Sequence, residues 1–163
     1  VNFLPKPRSV SMRLTALSPG LARGKLVGGN LSVLCALLGT PYAPDVDGRV
    51  LFLEDVGEQP YRVDRMLTTL SQAGWFRRAS AVVLGTFTES RPGRDGVTVA
   101  DVLRERFAML DKPVLMDLPA GHVDDNLELP LGAEVEVDAD RGTVTFLEAA
   151  TERQKLELRA GVA

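Results

Sequence analysis

Two predicted strands, Arg49–Leu53 and Ala81–Leu84, most constrain what this chain can fold into, because each contains an uninterrupted run of four apolar residues. An unbroken apolar run of this length is typical of a β-strand that is covered on both faces. Between the two runs, apolar residues recur at helical spacing from Pro60 to Gly74, with Pro60 suited to a first helical position and Gly74 to the C-terminal stop. The order strand, helix, strand therefore indicates helices packed on a sheet.

The segments around this centre add further predicted elements. Asn30 is expected to cap a helix that follows a tight turn at Gly28-Gly29, and Thr98 with Asp101 forms a capping-box start for another helix. The remaining predictions are a strand that begins at Val10 and is stopped by Pro19-Gly20, strands at 24–27 and 113–116, and helices at 31–38 and from Thr98 to about Met109.

A hairpin closes the chain. Val135 and Val137, then Val144 and Phe146, alternate with polar residues around the turn 138–142. We therefore predict an α/β fold with a mixed β-sheet, flanking helices and a C-terminal antiparallel hairpin. Residues 1–19 are predicted to be a linker and first strand, 20–148 the main domain, and 149–163 a charged tail with a short helix.

Composition excludes several classes of function. The 163 residues suit one domain, and the net charge of −3 comes from 19 basic and 22 acidic residues without a basic block, so we expect no nucleic-acid partner. No apolar run approaches the ~18 residues of a membrane span, and no signal-peptide pattern is present, so a cytoplasmic protein without a membrane partner is expected. The first residue is Val1 rather than Met, which indicates a fragment or a processed product.

Two polar residues stand where ligand sites of such sheets lie, past the carboxyl ends of strands. Glu54 follows the first apolar run directly, and His122, the only histidine, follows the strand predicted at 113–116. A carboxylate beside an imidazole makes up two thirds of a hydrolytic triad. Two other interpretations stay open: the acidic residues 54, 55 and 58 form a solvated turn before a helix, and His122 is an ordinary hydrogen-bonding histidine.

The nucleophile, a metal site and a nucleotide site all lack support. No serine lies in a G-x-S-x-G setting, and Cys35 lies in an apolar stretch where a thiol is expected to be buried. A single histidine without a second ligand cluster does not support zinc, and Gly28-Gly29-Asn30 completes no phosphate-binding pattern. Arg62 and Arg65 fit a helix-surface charge network better than a receptor for a substrate carboxylate.

Several motifs occur together in one order along the chain. They are Gly24–Leu31, Leu38–Pro41, Leu51–Glu58, Tyr61–Leu67 and Gly121-His122. In this order they resemble the C-terminal half of LD-carboxypeptidases, the serine peptidases that trim murein tetrapeptides, with the microcin C immunity peptidases as relatives. The resemblance covers about residues 20 to 135.

The resemblance implies a two-domain enzyme whose N-terminal domain, absent from this chain, carries the catalytic serine and the oxyanion hole. It places the triad glutamate at Glu54, with Glu58 as the fallback, and the base at His122. It further implies a murein-peptide substrate, no metal or organic cofactor, a homodimer and a cytoplasmic location. Without the serine domain this chain is expected to be inactive by itself. The alternative is a non-catalytic peptide-binding or dimerisation module.

Overall fold

The computed structural model describes the backbone of residues 8–10 and the whole of residues 14–147. Eight strands and four helices occupy this part of the chain, and the predicted tail 149–163 lies outside it. The strands are β1 (Arg8–Val10), β2 (Thr15–Ser18), β3 (Leu21–Asn30), β4 (Val50–Val56), β5 (Ala81–Thr88), β6 (Val114–Met116), β7 (Glu134–Asp138) and β8 (Thr143–Phe146). The helices are α1 (Leu31–Leu37), α2 (Pro60–Gln72), α3 (Trp75–Arg78) and α4 (Val99–Phe107).

All eight strands join one mixed sheet in the order β1-β8-β7-β3-β4-β5-β6-β2. Strands β3 to β6 are parallel neighbours, whereas β7, β8 and β1 add on antiparallel beyond β3, and β2 adds on antiparallel beyond β6. Strand β3 serves both parts, because residues 21–25 pair with β7 and residues 26–30 pair with β4. The predicted α/β class, mixed sheet and C-terminal hairpin are confirmed.

The central strand β4 is buried on both faces, as its apolar run predicts. Leu51 and Leu53 pack in one hydrophobic cluster with α1, α2, α3 and α4, and Val50 and Phe52 pack in a second cluster with the β7–β8 hairpin. This division follows from the two-residue period of a strand. The hairpin therefore covers one face of β4, and the helices cover the other.

Strands β4 and β5 are longer than the sequence predicts, and this changes the setting of the acidic residues. Strand β4 continues to Val56, so Glu54 lies inside the strand rather than just past its end. Strand β5 continues beyond Gly85 to Thr88, and its pairing with β4 shifts register between Leu53 and Asp55. The strands extend past their apolar runs because their polar residues have hydrogen-bonding partners in other segments. The pattern of apolar residues alone does not reveal these partners.

The prediction of a tight turn at Gly28-Gly29 is wrong, because both glycines belong to β3. Their φ angles are +139° and +145°, a region that glycine tolerates and other residues rarely adopt. A side chain at Gly28 would place its Cβ 1.9 Å from the carbonyl oxygen of Phe52. The glycine therefore permits a close approach of β3 to β4.

The helix predictions agree with the structure more closely. The Asn30 side chain accepts a hydrogen bond from the Val33 amide and caps α1, and Thr98 and Asp101 form the predicted capping box of α4. Gly74, at φ +78°, does follow α2, but it also begins α3, a helix that the sequence analysis missed. In the described part of the chain, no helix has the length and apolar character needed to span a membrane.

Candidate active site

Glu54 and His122 are in direct contact at the carboxyl edge of the parallel strands. His122 Nδ1 lies 2.8 Å from Glu54 Oε2, although 68 residues separate the two in sequence. The Glu54 side chain is only 6% exposed, whereas that of His122 is 54% exposed. The pair thus combines a buried carboxylate with an imidazole that is open to solvent on its remaining sides.

Strand alternation explains how Glu54 reaches the histidine. Glu54 follows Phe52 on the face of β4 that carries the hairpin cluster, and the register shift in β5 lies opposite it. Gly85, at this irregularity, has no side chain, and a Cβ there would come within 2.4 Å of the Ala120 carbonyl oxygen. The bulge and the glycine allow the segment that carries His122 to cross close to the strand.

Main-chain and side-chain contacts attach that segment to β5. The Thr86 amide donates to the carbonyl of Ala120, and Thr86 forms an isolated parallel bridge with Gly121. Gly121 has φ +124°, and a Cβ at this position would lie 2.7 Å from Glu54 Oε2. Only glycine therefore fits between the carboxylate and the main chain that leads into His122.

The carboxylate changes the acid–base behaviour of the histidine. The pKa of His122 is raised above its ordinary value of 6.5, chiefly by the hydrogen bond and the negative charge of Glu54, with smaller contributions from the charges of Asp55 and Glu89. The hydrogen bond at Nδ1 also favours the tautomer with its proton on that nitrogen. A base held in this way keeps the Nε2 lone pair available for a hydroxyl proton.

The neighbouring carboxylates have different partners. Asp55 is 2% exposed and accepts hydrogen bonds from Asn30 Nδ2, the Ser32 amide and the Val56 amide. Glu58, the fallback for the triad glutamate, forms an ion pair with Arg62 at 3.7 Å. Among the described residues, Glu54 is thus the carboxylate that is hydrogen-bonded to the imidazole.

The other sequence candidates lie apart from this pair. The prediction of a buried Cys35 is only half right, since the residue is partly exposed; burial and the charge of Asp55 raise its pKa to about 11, which disfavours the nucleophilic thiolate. Ser32 donates its hydroxyl proton to the side chain of Asn30, the residue that caps α1. No cluster of three or more His, Cys, Asp or Glu side chains suited to a metal ion occurs within the described ranges.

The arginines of α2 take part in surface contacts. Arg62 pairs with Glu58 and lies over the Tyr61 ring at 5.9 Å, while Asp64 of the same helix forms an ion pair with Arg106 of α4. For Arg65, the backbone carbonyl accepts a hydrogen bond from the Thr69 hydroxyl. The contacts of Arg62 fit the helix-surface network that the sequence favours.

Two residues that contact the main chain around His122 were not predicted from the sequence. The Thr88 hydroxyl donates to the His122 carbonyl at 3.2 Å, and Asn126 Oδ1 accepts the Gly121 amide at 3.0 Å. A threonine at a strand end and an asparagine in a polar loop are common, so neither carries a signal in one sequence.

Comparison of the chain with known protein families finds one matching model. Residues 23–137 match the model described as the LD-carboxypeptidase C-terminal domain. A Synechocystis protein assigned as a carboxypeptidase is 44% identical over 130 residues, which are 78% of this chain and 43% of that protein. The chain therefore spans less than half the length of this relative.

Solved structures share the fold. The muramoyltetrapeptide carboxypeptidase from Oxalobacter formigenes is 35% identical with a TM-score of 0.75, covering 85% of this chain and 49% of that one. The microcin C7 self-immunity protein MccF, a protein of Escherichia coli, has been solved with aspartyl sulfamoyl adenosine. It is 26% identical with a TM-score of 0.76, over 85% of this chain and 42% of that one.

Proposed function

Since this chain belongs to the LD-carboxypeptidase family as its C-terminal domain, we propose that it supplies Glu54 and His122 to a Ser-Glu-His triad. The reaction is hydrolysis of the L,D peptide bond to the terminal D-alanine of a murein tetrapeptide, and the serine belongs to a second, N-terminal domain. The observation that carries this proposal is the 2.8 Å contact between Glu54 Oε2 and His122 Nδ1.

The difference in exposure between the Glu54 and His122 side chains supports these roles. Glu54 is buried and held in a strand, as suits a group that orients a base without touching substrate. The imidazole is 54% exposed, and its Nδ1 is occupied by the carboxylate, so Nε2 is the nitrogen that a hydroxyl from another domain would meet. The pair of Glu54 and His122 has no nucleophile beside it in the described part of the chain. It therefore fits a domain that provides only part of an active site.

In the proposed reaction, His122 Nε2 takes the proton of the serine hydroxyl while the serine oxygen attacks the peptide carbonyl carbon. The resulting imidazolium donates this proton to the amine of D-alanine as the C–N bond breaks, leaving an acyl-serine ester. His122 then takes a proton from water, the hydroxide attacks the ester, and the proton returns to the serine oxygen. Glu54 stabilises each imidazolium by its negative charge.

The serine is assigned to another domain for two reasons. Within residues 14–147, no serine hydroxyl is hydrogen-bonded to His122. The relatives are more than twice as long as the matched segment, which leaves room for a complete domain. This chain alone is therefore proposed to be inactive, since a triad without its nucleophile keeps only residual catalysis.

The test compares this purified chain with a two-domain enzyme in which it follows an N-terminal domain of the family. D-Alanine release from a murein tetrapeptide is measured for both, together with His122→Ala in the two-domain enzyme. We expect release only by the unaltered two-domain enzyme. Release by the isolated chain, or near-normal release by His122→Ala, would contradict the proposed function.

The substrate is proposed to be a murein peptide, processed in the cytoplasm. The similarity to a muramoyltetrapeptide carboxypeptidase at 35% identity favours it over an antibiotic conjugate, because the similarity to MccF is only 26%. The test measures kcat/KM of the two-domain enzyme for a murein tetrapeptide and for aspartyl sulfamoyl adenosine. We expect the higher value for the tetrapeptide. A higher kcat/KM for the second compound would reverse the assignment.

A second candidate is a non-catalytic peptide-binding or dimerisation module, and one observation favours it. Val33 of α1 and Tyr42 in the following loop are apolar side chains with 56% and 79% exposure. Contiguous apolar patches mark interfaces, and we propose that these two side chains belong to one such patch, in a homodimer of the two-domain enzyme as well. Light scattering of both proteins measures their oligomeric state directly. A chain that is monomeric and also binds no tetrapeptide would exclude the second candidate.

A further inference from the structure

Little packing supports the contact between the imidazole of His122 and Glu54. With 54% of its side chain exposed, surrounding atoms restrain the ring little. The preceding residue, Gly121, is a glycine at φ +124°, and glycine has the widest conformational freedom. Something other than packing must therefore fix the direction in which the ring leaves the backbone.

Asn126 is placed to do this. Its Oδ1 accepts the Gly121 amide at 3.0 Å, and the next residue, Leu127, donates its amide to the Pro119 carbonyl at 2.8 Å. The two hydrogen bonds close the loop 119–127 around His122. Asn126 is itself exposed, so burial does not explain its position.

Thr88 holds the other side of the histidine. Its hydroxyl donates to the His122 carbonyl at 3.2 Å, and its own carbonyl accepts the Gly57 amide just after β4. Thr88 is thus bonded both to the chain just after β4, the strand that carries Glu54, and to the loop that carries His122. Peptide groups on both sides of the histidine are fixed relative to the carboxylate.

We propose that Asn126 is a positioning residue that keeps His122 in contact with Glu54 by fixing the Gly121 peptide group, with Thr88 fixing the opposite side. This inference rests on the proposed function of Glu54 and His122. Neither residue touches the reacting atoms in this scheme. Each acts through the main chain of the base.

Nuclear magnetic resonance can follow the effect without any activity, because His122 is the only histidine in the chain. The titration of its imidazole signals is compared in the unaltered chain, Asn126→Ala, Thr88→Val and the control Gln72→Ala, an exposed amide at the end of α2. These changes leave the acidic neighbours Glu54, Asp55 and Glu89 in place. The exchange rate of the Gly121 amide is measured on the same samples.

We expect a lower pKa of His122 in Asn126→Ala and Thr88→Val, because a loosened histidine spends less time beside the carboxylate. In Asn126→Ala the Gly121 amide should also exchange faster, and Asn126→Asp, which keeps an oxygen acceptor, should restore its protection. Gln72→Ala should change neither quantity. An unchanged pKa in Asn126→Ala, or an unchanged Gly121 exchange rate, would overturn the inference.

The two-domain enzyme provides a second, separate readout. Asn126→Ala should lower kcat roughly 10-fold with KM within about twofold, because misplacing a base affects the chemical step more than binding. Unchanged kcat in an active enzyme would also overturn the positioning role. If the unaltered enzyme hydrolyses no tetrapeptide, the proposed function fails, whereas the resonance experiment still decides whether Asn126 holds the pair together.

Discussion

Glu54 and Asp55 are adjacent in β4, yet Glu54 contacts His122 whereas Asp55 accepts hydrogen bonds from Asn30 and Ser32 at the start of α1. Two neighbouring carboxylates therefore have separate tasks. Asp55 joins β3, β4 and α1 to one another, and Glu54 orients the proposed base. Substitutions at the two positions should separate stability from activity.

We predict that Asp55→Ala lowers the free energy of unfolding by about 2–3 kcal/mol, because the buried carboxylate is lost and its three partly buried donors are left without this acceptor. Glu54→Gln should change the free energy of unfolding at pH 8 by less than about 1 kcal/mol, since the amide keeps the shape of the side chain. Urea denaturation of both variants checks this.

The activity of the two-domain enzyme should show the reverse order. Glu54→Gln is expected to reduce kcat by at least about 100-fold, because the amide neither stabilises the imidazolium nor fixes the same tautomer. The folded fraction of Asp55→Asn, the milder change at the neighbouring site, should keep its activity. Equal losses of kcat per folded molecule in these two variants would show that the assignment of separate tasks is wrong.

Gly121→Ala should break the contact between Glu54 and His122. The new Cβ would meet Glu54 Oε2 at 2.7 Å, in addition to backbone strain of about 1–3 kcal/mol at φ +124°. The matched control is Gly132→Ala, at φ +89°, where a Cβ meets nothing within 4 Å. Both variants should be destabilised, but only Gly121→Ala should change the imidazole signals of His122. A similar spectral change in both variants would mean that strain alone disturbs the site.

Stability should depend on pH through His122. Its folded-state pKa is raised above the ordinary 6.5, so the protonated ring stabilises the fold. This contribution is complete below pH 6.5 and is lost as the pH rises through the higher folded-state pKa. The difference in Tm between the unaltered chain and His122→Gln should therefore be largest near pH 5.5 and shrink towards pH 9. Thermal denaturation at intervals of half a pH unit measures the trend.

The same series in a Glu54→Gln background supplies the control, because the main cause of the raised pKa is then removed. There the difference in Tm should vary much less with pH. A constant difference from pH 5.5 to 9 in the chain with Glu54 intact would mean that the carboxylate does not stabilise the protonated ring.

Cys35 should react slowly with thiol reagents in the folded protein. Its thiol donates to the Met66 carbonyl at 3.5 Å, and burial raises its pKa to about 11, so little thiolate is present at pH 8. A colorimetric disulfide reagent should modify the folded chain far more slowly than the chain in concentrated urea. Equally fast modification in both states would contradict the packing of α1 on α2.

Local signals made the starts of α1 and α4 predictable. The caps at Asn30 and Thr98 are hydrogen bonds between a side chain and backbone amides three residues ahead, and such contacts are encoded within four residues of sequence. The apolar runs also identified β4 and β5, because a strand covered on both faces needs no polar alternation. The family motifs gave Glu54 and His122.

The details that build the site depend on distant partners and were not predictable in this way. Glu54 and Asp55 resemble a turn in sequence, but they extend β4 because His122 and Asn30 provide hydrogen-bonding partners. The glycines at 28 and 121 are required by atoms of Phe52 and Glu54, which are 24 and 67 residues away in the chain. Such requirements become visible only when the segments are seen together.

The attachment of the histidine loop to β5 keeps the two members of the proposed catalytic pair together. Because Glu54 is part of the sheet and the His122 main chain is bonded to a neighbouring strand, both move as one rigid body. Any group that approaches the pair from outside therefore meets the exposed side of the imidazole, while the contact of the ring with Glu54 stays as it is within this domain.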